Sequence, residues 1–196
     1  MHKFCISVKF INCYFGRRKR REGEFKMNIL VFSDSHGRGE RIDAVIELQV
    51  RKPDAIIFLG DGLRDIAYCN TGNIPIYAVQ GNCDIYNYFR QDNVEEDLLF
   101  EIGCKRVFIT HGHKYGVKSG IGYLISEAAK KEADIVLFGH THSAFEAIIN
   151  EENAYGLKLT KPMYVMNPGS IGDYNASFGT VEIDREGRVL LSHGNL

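Results

Sequence analysis

Seven side chains able to bind a metal ion recur at one kind of place in this chain. Asp34 and His36 follow the run Asn28–Phe32, and Asp61 follows Ala55–Leu59. Asn82 follows Ile74–Val79, His111 follows Val107–Ile109, and His140 and His142 follow Ile135–Phe138. Carboxylates and imidazoles gathered at the ends of buried strands cost several kcal/mol each unless they are paired or coordinated. Seven N/O donors exceed the roughly four ligands of a single Zn²⁺, so they suit two divalent cations. Carboxylate plus imidazole without thiolate spacing fits Mn, Fe, Zn or Ni. Cys83 is the one cysteine in these loops, which excludes a Cys₄ zinc site. Two cations about 3.5–4 Å apart would clamp a phosphoryl group and generate a hydroxide near neutral pH. Two dications, two Asp carboxylates and one hydroxide leave about one positive charge, which draws a phosphate anion.

Taken singly, each motif is weak. Asp-x-His is usually a polar loop, Gly-Asp is a common turn, and Gly and Asn favour turns for their own backbone reasons. Five apolar runs that all end in an N/O donor are a stronger signal than any one of them.

The elements that must position these residues are legible as an alternation. Ile42, Val45, Ile46 and Val50 recur at helical spacing, and Pro53 ends that pattern. A second helix is expected with Ile121, Leu124, Ile125, Ala128 and Ala129 on one face and Lys130-Lys131 near its end, where cations suit the helix dipole. Near-continuous apolar runs separated by helices predict strands buried on both faces, and ligands of such α/β sheets bind beyond the strands' carboxyl ends. The polar residues should therefore converge on one edge. The last third reads differently: Phe145–Asn150, Met163–Met166, Phe178–Ile183 and Val189–His193 are short and turn-separated, which predicts antiparallel strands added to the parallel core.

Composition sets the outer bounds. The 196 residues are 44% hydrophobic and 25% charged, enough apolar material for a core. No stretch approaches the roughly 20 apolar residues of a membrane span, and membrane partners are not expected. Five cysteines, an odd number, make no disulfide scaffold and point to a reducing cytoplasm. Eight of the 24 Lys/Arg and two of the 25 Asp/Glu fall in residues 1–26, so that segment carries +6 and the remainder −7. The acidic body argues against nucleic acid as a partner.

Residues 1–26 carry their apolar residues before Arg17-Arg18-Lys19-Arg20-Arg21, the reverse of a secretory signal. They read as a basic extension, disordered or translated from an over-extended gene start, with the domain proper at 27–196. Met27-Asn28-Ile29-Leu30-Val31-Phe32 starts directly on a strand, and Arg21-Glu22-Gly23 can be encoded by a purine run like a ribosome-binding site.

In this order the motifs Asp34-x-His36, Gly60-Asp61, Gly81-Asn82-x-Asp84, His111 and Gly139-His140-x-His142 resemble the calcineurin-like metallophosphoesterases. Thr110-His111-Gly112-His113 and Asn167-Pro168-Gly169-Ser170 resemble their small YfcE-like phosphodiesterase branch. The resemblance implies an α/β fold of two facing mixed β-sheets flanked by helices, which corrects a purely doubly wound sheet. It implies that Asp34, His36, Asp61 and His142 hold one cation and that Asp61, Asn82, His111 and His140 hold the other, with Mn favoured and Asp61 shared. A metal-bridging hydroxide would attack a small phosphodiester, with Asn82 and His113 as catalytic residues stabilising the phosphoryl oxygens. Asn82, Cys83 and His113 would face the substrate.

One position departs from most of the superfamily. Cys83 stands where a His is credited with protonating the leaving group, and a neutral thiol is a poor general acid. It reads as a small packing residue. The competing class is a protein-binding scaffold resembling the retromer subunit of this fold, which tolerates lost ligands; here all seven positions carry competent side chains. A homo-oligomer could form through exposed edges of the C-terminal strands.

Overall fold

The computed structural model describes residues 27–84 and 94–196. The expectations for residues 1–26 lie outside them.

Among the described residues, ten strands form two five-stranded sheets. The first has the order β10-β9-β1-β2-β3. It contains β1 (Met27–Phe32), β2 (Ala55–Phe58), β3 (Ile76–Ala78), β9 (Ser177–Ile183) and β10 (Val189–Asn195). The second has the order β4-β5-β6-β8-β7. It contains β4 (Asp97–Ile102), β5 (Lys105–Thr110), β6 (Ile135–Phe138), β7 (Ala144–Ile149) and β8 (Met163–Pro168). Three strands of each sheet run parallel: β1 with β2 and β2 with β3, then β5 with β6 and β6 with β8. The pairs β1–β9, β9–β10, β4–β5 and β7–β8 are antiparallel.

The two-residue period of a strand explains why both faces are apolar. Ile29, Val31, Ile57 and Leu59 of the first sheet pack with Val107, Ile109, Ile135 and Leu137 of the second. Their neighbours Leu30, Phe32, Ile56 and Phe58 point the other way, against Ile42, Val45 and Ile66. The last three belong to α1 (Gly39–Glu47) and α2 (Leu63–Tyr68). On the far side, Phe108, Val136 and Phe138 pack on Leu124, Ile125 and Ala128 of α3 (Gly122–Lys130). The result is helices, sheet, sheet, helix, with the deepest apolar layer between the sheets. This is the two-sheet architecture that the resemblance implied.

Four details differ from the sequence reading. The helical pattern was extended to Val50, but α1 ends at Glu47 and Val50 is fully exposed, because the chain has already turned toward β2. The short helix α2 and the strand β4 were not anticipated; β4 carries Asp97 and Glu101 among its apolar residues, as an edge strand does. β8 pairs antiparallel with β7 but parallel with β6, so it extends the parallel core instead of merely flanking it. The donor-bearing strands are also divided, β1–β3 in one sheet and β5–β6 in the other. The polar residues converge where the carboxyl ends of two facing sheets meet.

Candidate metal centre

The loops after β1, β2, β3, β5 and β6 interlock through their backbones. Asp34 N–H donates to the Gly60 carbonyl at 3.0 Å and His36 N–H to the Asp61 carbonyl at 3.2 Å. Gly139 N–H donates to the His111 carbonyl at 3.1 Å. The loops after β2 and β3 approach so closely that a Cβ on Gly60 would lie 2.5 Å from the Gly81 nitrogen, and one on Gly81 would lie 2.1 Å from Asp61 Oδ1. That is why glycine precedes Asp61 and Asn82.

Five of the donor-bearing residues sit in left-handed backbone. Asp34, His36, Asp61, His140 and His142 have φ of 54°, 43°, 56°, 68° and 59°. Among the described residues only Glu132 and Tyr155 are other non-glycine examples. Asp and His tolerate this region better than most residues, but each still costs on the order of 1 kcal/mol. Strain gathered at one edge of the fold marks it as a site where geometry outranks stability.

The side chains form two adjoining groups. Asp34, His36 and His142 offer ligand atoms within 4.8 Å of one another, and so do Asp61, His111 and His140. In the first group, His142 Nε2 lies 3.2 Å from Asp34 Oδ1 and 3.3 Å from His36 Nε2. In the second, His111 Nε2 lies 3.1 Å from Asn82 Oδ1, 3.1 Å from His140 Nδ1 and 3.4 Å from Asp61 Oδ2.

The hydrogen bonds around these groups fix their roles. His111 Nδ1 donates to the Leu59 carbonyl at 2.7 Å, so Nε2 of the neutral ring presents a lone pair. That lone pair faces the oxygens of Asn82 and Asp61 and a nitrogen of His140. Acceptors crowded in this way need a proton or a metal cation between them. Asp34 supplies a second sign: its side chain is fully buried, Oδ2 accepts from Ser33 Oγ at 2.5 Å and His140 N–H at 3.1 Å, and Oδ1 has no hydrogen-bond partner. A buried carboxylate oxygen left open among imidazoles is what a metal ligand looks like. The donor set fits a pair of divalent cations.

Charge follows from the same contacts. Burial raises the Asp34 carboxyl above its ordinary range, despite His111 and the Ser33 hydroxyl. Burial opposes ionisation of Asp61 too, but its contacts with His111 and the Cys83 N–H, which donates at 2.7 Å, hold it well below the usual range. Burial and the neighbouring His111 push His140 down to about 4, leaving it neutral, as a ligand must be. His111 is opposed by burial but raised by Asp61 and Asp34.

His113 and Cys83 stand beside these groups. The His113 ring centre is 5.4 Å from that of His111 and 6.1 Å from that of His140, and its Nε2 lies 3.9 Å from Glu96. Burial and His111 lower its pKa. Cys83 is exposed and receives a hydrogen bond from Asn82 Nδ2 at 3.3 Å; burial and Asp61 push its thiol up to about 11. It lines a cleft of about 590 Å³ together with His36, Asp61, Arg64, Asp65 and Asp84.

Two positioning residues escaped the sequence reading. Asp84 accepts from four backbone N–H groups, those of Asp61, Gly62, Leu63 and Gly81, at 2.8 to 3.0 Å. It ties the Asp61 loop to the Asn82 loop. Its place in the Gly81-Asn82-x-Asp84 motif was visible, but its partners were not. Asp173 accepts from His142 Nδ1 at 3.0 Å and so turns Nε2 toward Asp34. A carboxylate that orients a ligating imidazole is a common support of metal sites, and only the fold brings these two together.

Comparison with known proteins agrees with this geometry. The sequence profile of the calcineurin-like phosphoesterase superfamily domain matches residues 27–186. A probable metallophosphoesterase of Bacillus subtilis, YsnB, is 30% identical over 145 residues, covering 74% of this chain and 75% of its own. Phosphodiesterase MJ0936 of Methanocaldococcus jannaschii is 27% identical over 174 residues, covering 80% of this chain and 92% of its own. The structure of Vacuolar Protein Sorting 29 from Cryptosporidium parvum superposes with a TM-score of 0.61 at 17% identity, over 88% of this chain and 98% of that one, which speaks for the fold alone. With its profile match, its two facing sheets and the donors at their joined edge, this chain belongs to the calcineurin-like phosphoesterase superfamily.

Proposed function

We propose that the protein is a metal-dependent phosphodiesterase with a dinuclear centre. Asp34, His36, Asp61 and His142 hold one cation, Asp61, Asn82, His111 and His140 hold the other, and Asp61 is shared. The observation that carries this reading is the unpartnered, buried Asp34 Oδ1 beside imidazoles whose nitrogens face other acceptors. Bound there, a pair of divalent cations supplies a hydroxide nucleophile near neutral pH and positive charge against the phosphoryl oxygens. Oxygen and imidazole donors fit Mn, Fe, Zn or Ni, and the family resemblance favours manganese among them.

The chain's own groups do the positioning. Leu59 and Asp173 lock the rings of His111 and His142 with their Nε2 atoms inward. Asn82 places an amide beside His111, and together with His113 it stabilises charge on the phosphoryl group. The cleft beside His36 and Cys83 has the volume of a small-ligand site and receives the ester groups. A thiol pushed up to about 11 is a poor general acid, so the preferred diesters carry good leaving groups. The free thiols of Cys69, Cys83 and Cys104 suit a reducing cytoplasm. No described helix is long and apolar enough to cross a membrane. The edge strands β7 and β10 offer a route to a homo-oligomer.

The test is hydrolysis of bis-p-nitrophenyl phosphate by chelator-stripped protein with and without Mn²⁺. Turnover restored by Mn²⁺ supports the reading. Absence of turnover at any pH, with the metal bound, favours the protein-binding scaffold instead.

A further inference from the structure

A third group of ligand atoms overlaps the two described above. His36, Asp61 and Cys83 also offer atoms that all lie within 4.8 Å of one another. The residue is anchored there by its backbone, whose N–H donates to Asp61 Oδ1 at 2.7 Å, and Asn82 Nδ2 donates to its sulfur at 3.3 Å. The open Asp34 Oδ1 lies 3.8 Å from His36 Nε2, on a side chain that is fully buried. The His36 side of the site is thus surrounded by hard oxygen and imidazole donors plus a single soft one.

We propose that Cys83 makes this side of the site a thiophilic position: a soft divalent cation seated against His36 and Asp61 takes the Cys83 thiolate as a further ligand, whereas Mn²⁺ leaves the thiol uncoordinated. The inference rests on the metal reading above and assigns Cys83 a role in metal discrimination. Forming the sulfur–metal bond releases the thiol proton to solvent, and no group changes oxidation state. Thiolate selects Zn²⁺, Cd²⁺ and Co²⁺ over Mn²⁺. Cys83 also lines the cleft, so the bond forms on the side from which a substrate would arrive.

The experiment loads the full chain, wild type and Cys83→Ser, with stoichiometric Co²⁺ and records its absorption. The expected wild-type spectrum has visible cobalt bands and a near-ultraviolet thiolate-to-cobalt charge-transfer band; Cys83→Ser keeps the first and loses the second. Visible bands without the charge-transfer band in the wild type would overturn the inference and leave the dinuclear reading standing. A band of equal strength in Cys83→Ser would assign it to another cysteine and overturn the inference too. Failure of both proteins to bind cobalt would remove the metal reading itself. As a second readout, equilibrium dialysis should show the preference for Cd²⁺ over Mn²⁺ falling at least about tenfold in Cys83→Ser; an unchanged preference contradicts the proposal.

Discussion

Aspartates stand at both ends of the parallel strands, and the two ends treat them differently. At the amino end, Asp54 precedes β2 and accepts from the Asn28 N–H at 2.9 Å and Arg51 at 2.8 Å. Asp134 occupies the equivalent place before β6, accepting from the Arg106 N–H at 2.8 Å, with Lys161 at 2.7 Å. Each joins two neighbouring strands and is matched by a cation of the chain itself. At the carboxyl end, Asp34 and Asp61 meet imidazoles, sit in left-handed backbone, and in Asp34 leave a buried oxygen open. The same side chain is a structural tie at one edge and a candidate metal ligand at the other.

Substitutions at the two edges should therefore fail in different ways. The largest effect is expected for Asp61→Ala, which removes the shared carboxylate: turnover of an aryl phosphodiester falls at least about a thousandfold, and metal analysis finds both positions weakened. A variant retaining one tightly held cation and much of the activity would break the assignment of Asp61 as shared. Next comes Asp84→Ala, which strips the acceptor from four N–H groups. Activity should fall about a hundredfold as the Asp61 and Asn82 loops part, and urea denaturation should show a loss on the order of 3 kcal/mol.

Asp173→Ala is milder. Asp173 is half exposed, so stability should barely move, while metal affinity falls about 10- to 100-fold because His142 loses its orienting partner. Unchanged affinity in a calorimetric titration would show that Asp173 does not position His142.

The smallest effect is at the amino edge. Asp134→Ala should leave kcat/KM unchanged and cost about 1–2 kcal/mol of stability at neutral pH. Burial works against its ionisation, but Lys161 and the Arg106 N–H hold its carboxyl below the ordinary 3.8. A carboxyl lowered in the folded state stabilises above its unfolded pKa, and that contribution fades as pH falls through the folded value. The difference in melting temperature between wild type and variant should be full above about pH 5 and close only once the pH has fallen through the lowered folded value. A difference that persists in acid would assign the effect to packing instead of charge.

Much of the site was legible because its donors sit in short motifs directly after apolar runs: Asp34-x-His36, Gly60-Asp61 and His140-x-His142 each carry both the strand end and the ligand. What stayed hidden depends on distance through space. Nothing near Asp173 in sequence signals His142, and the four donors to Asp84 are backbone groups without a residue signature. The split of the donor strands between two sheets was invisible to periodicity, since a strand buried on both faces reads alike in either sheet. It entered only through the family resemblance. The overextended first helix has the opposite cause: Val50 continues the helical spacing of apolar residues but ends up in solvent, since spacing alone says nothing of where the chain turns.

The central claim is that the carboxyl edge holds two cations with Asp61 between them. Anomalous scattering from crystals of the manganese-loaded protein tests it most directly. Two peaks are predicted, one among Asp34, His36 and His142 and one among Asn82, His111 and His140, each within coordination distance of Asp61. No peak at this edge, or a lone peak remote from Asp61, would contradict the account.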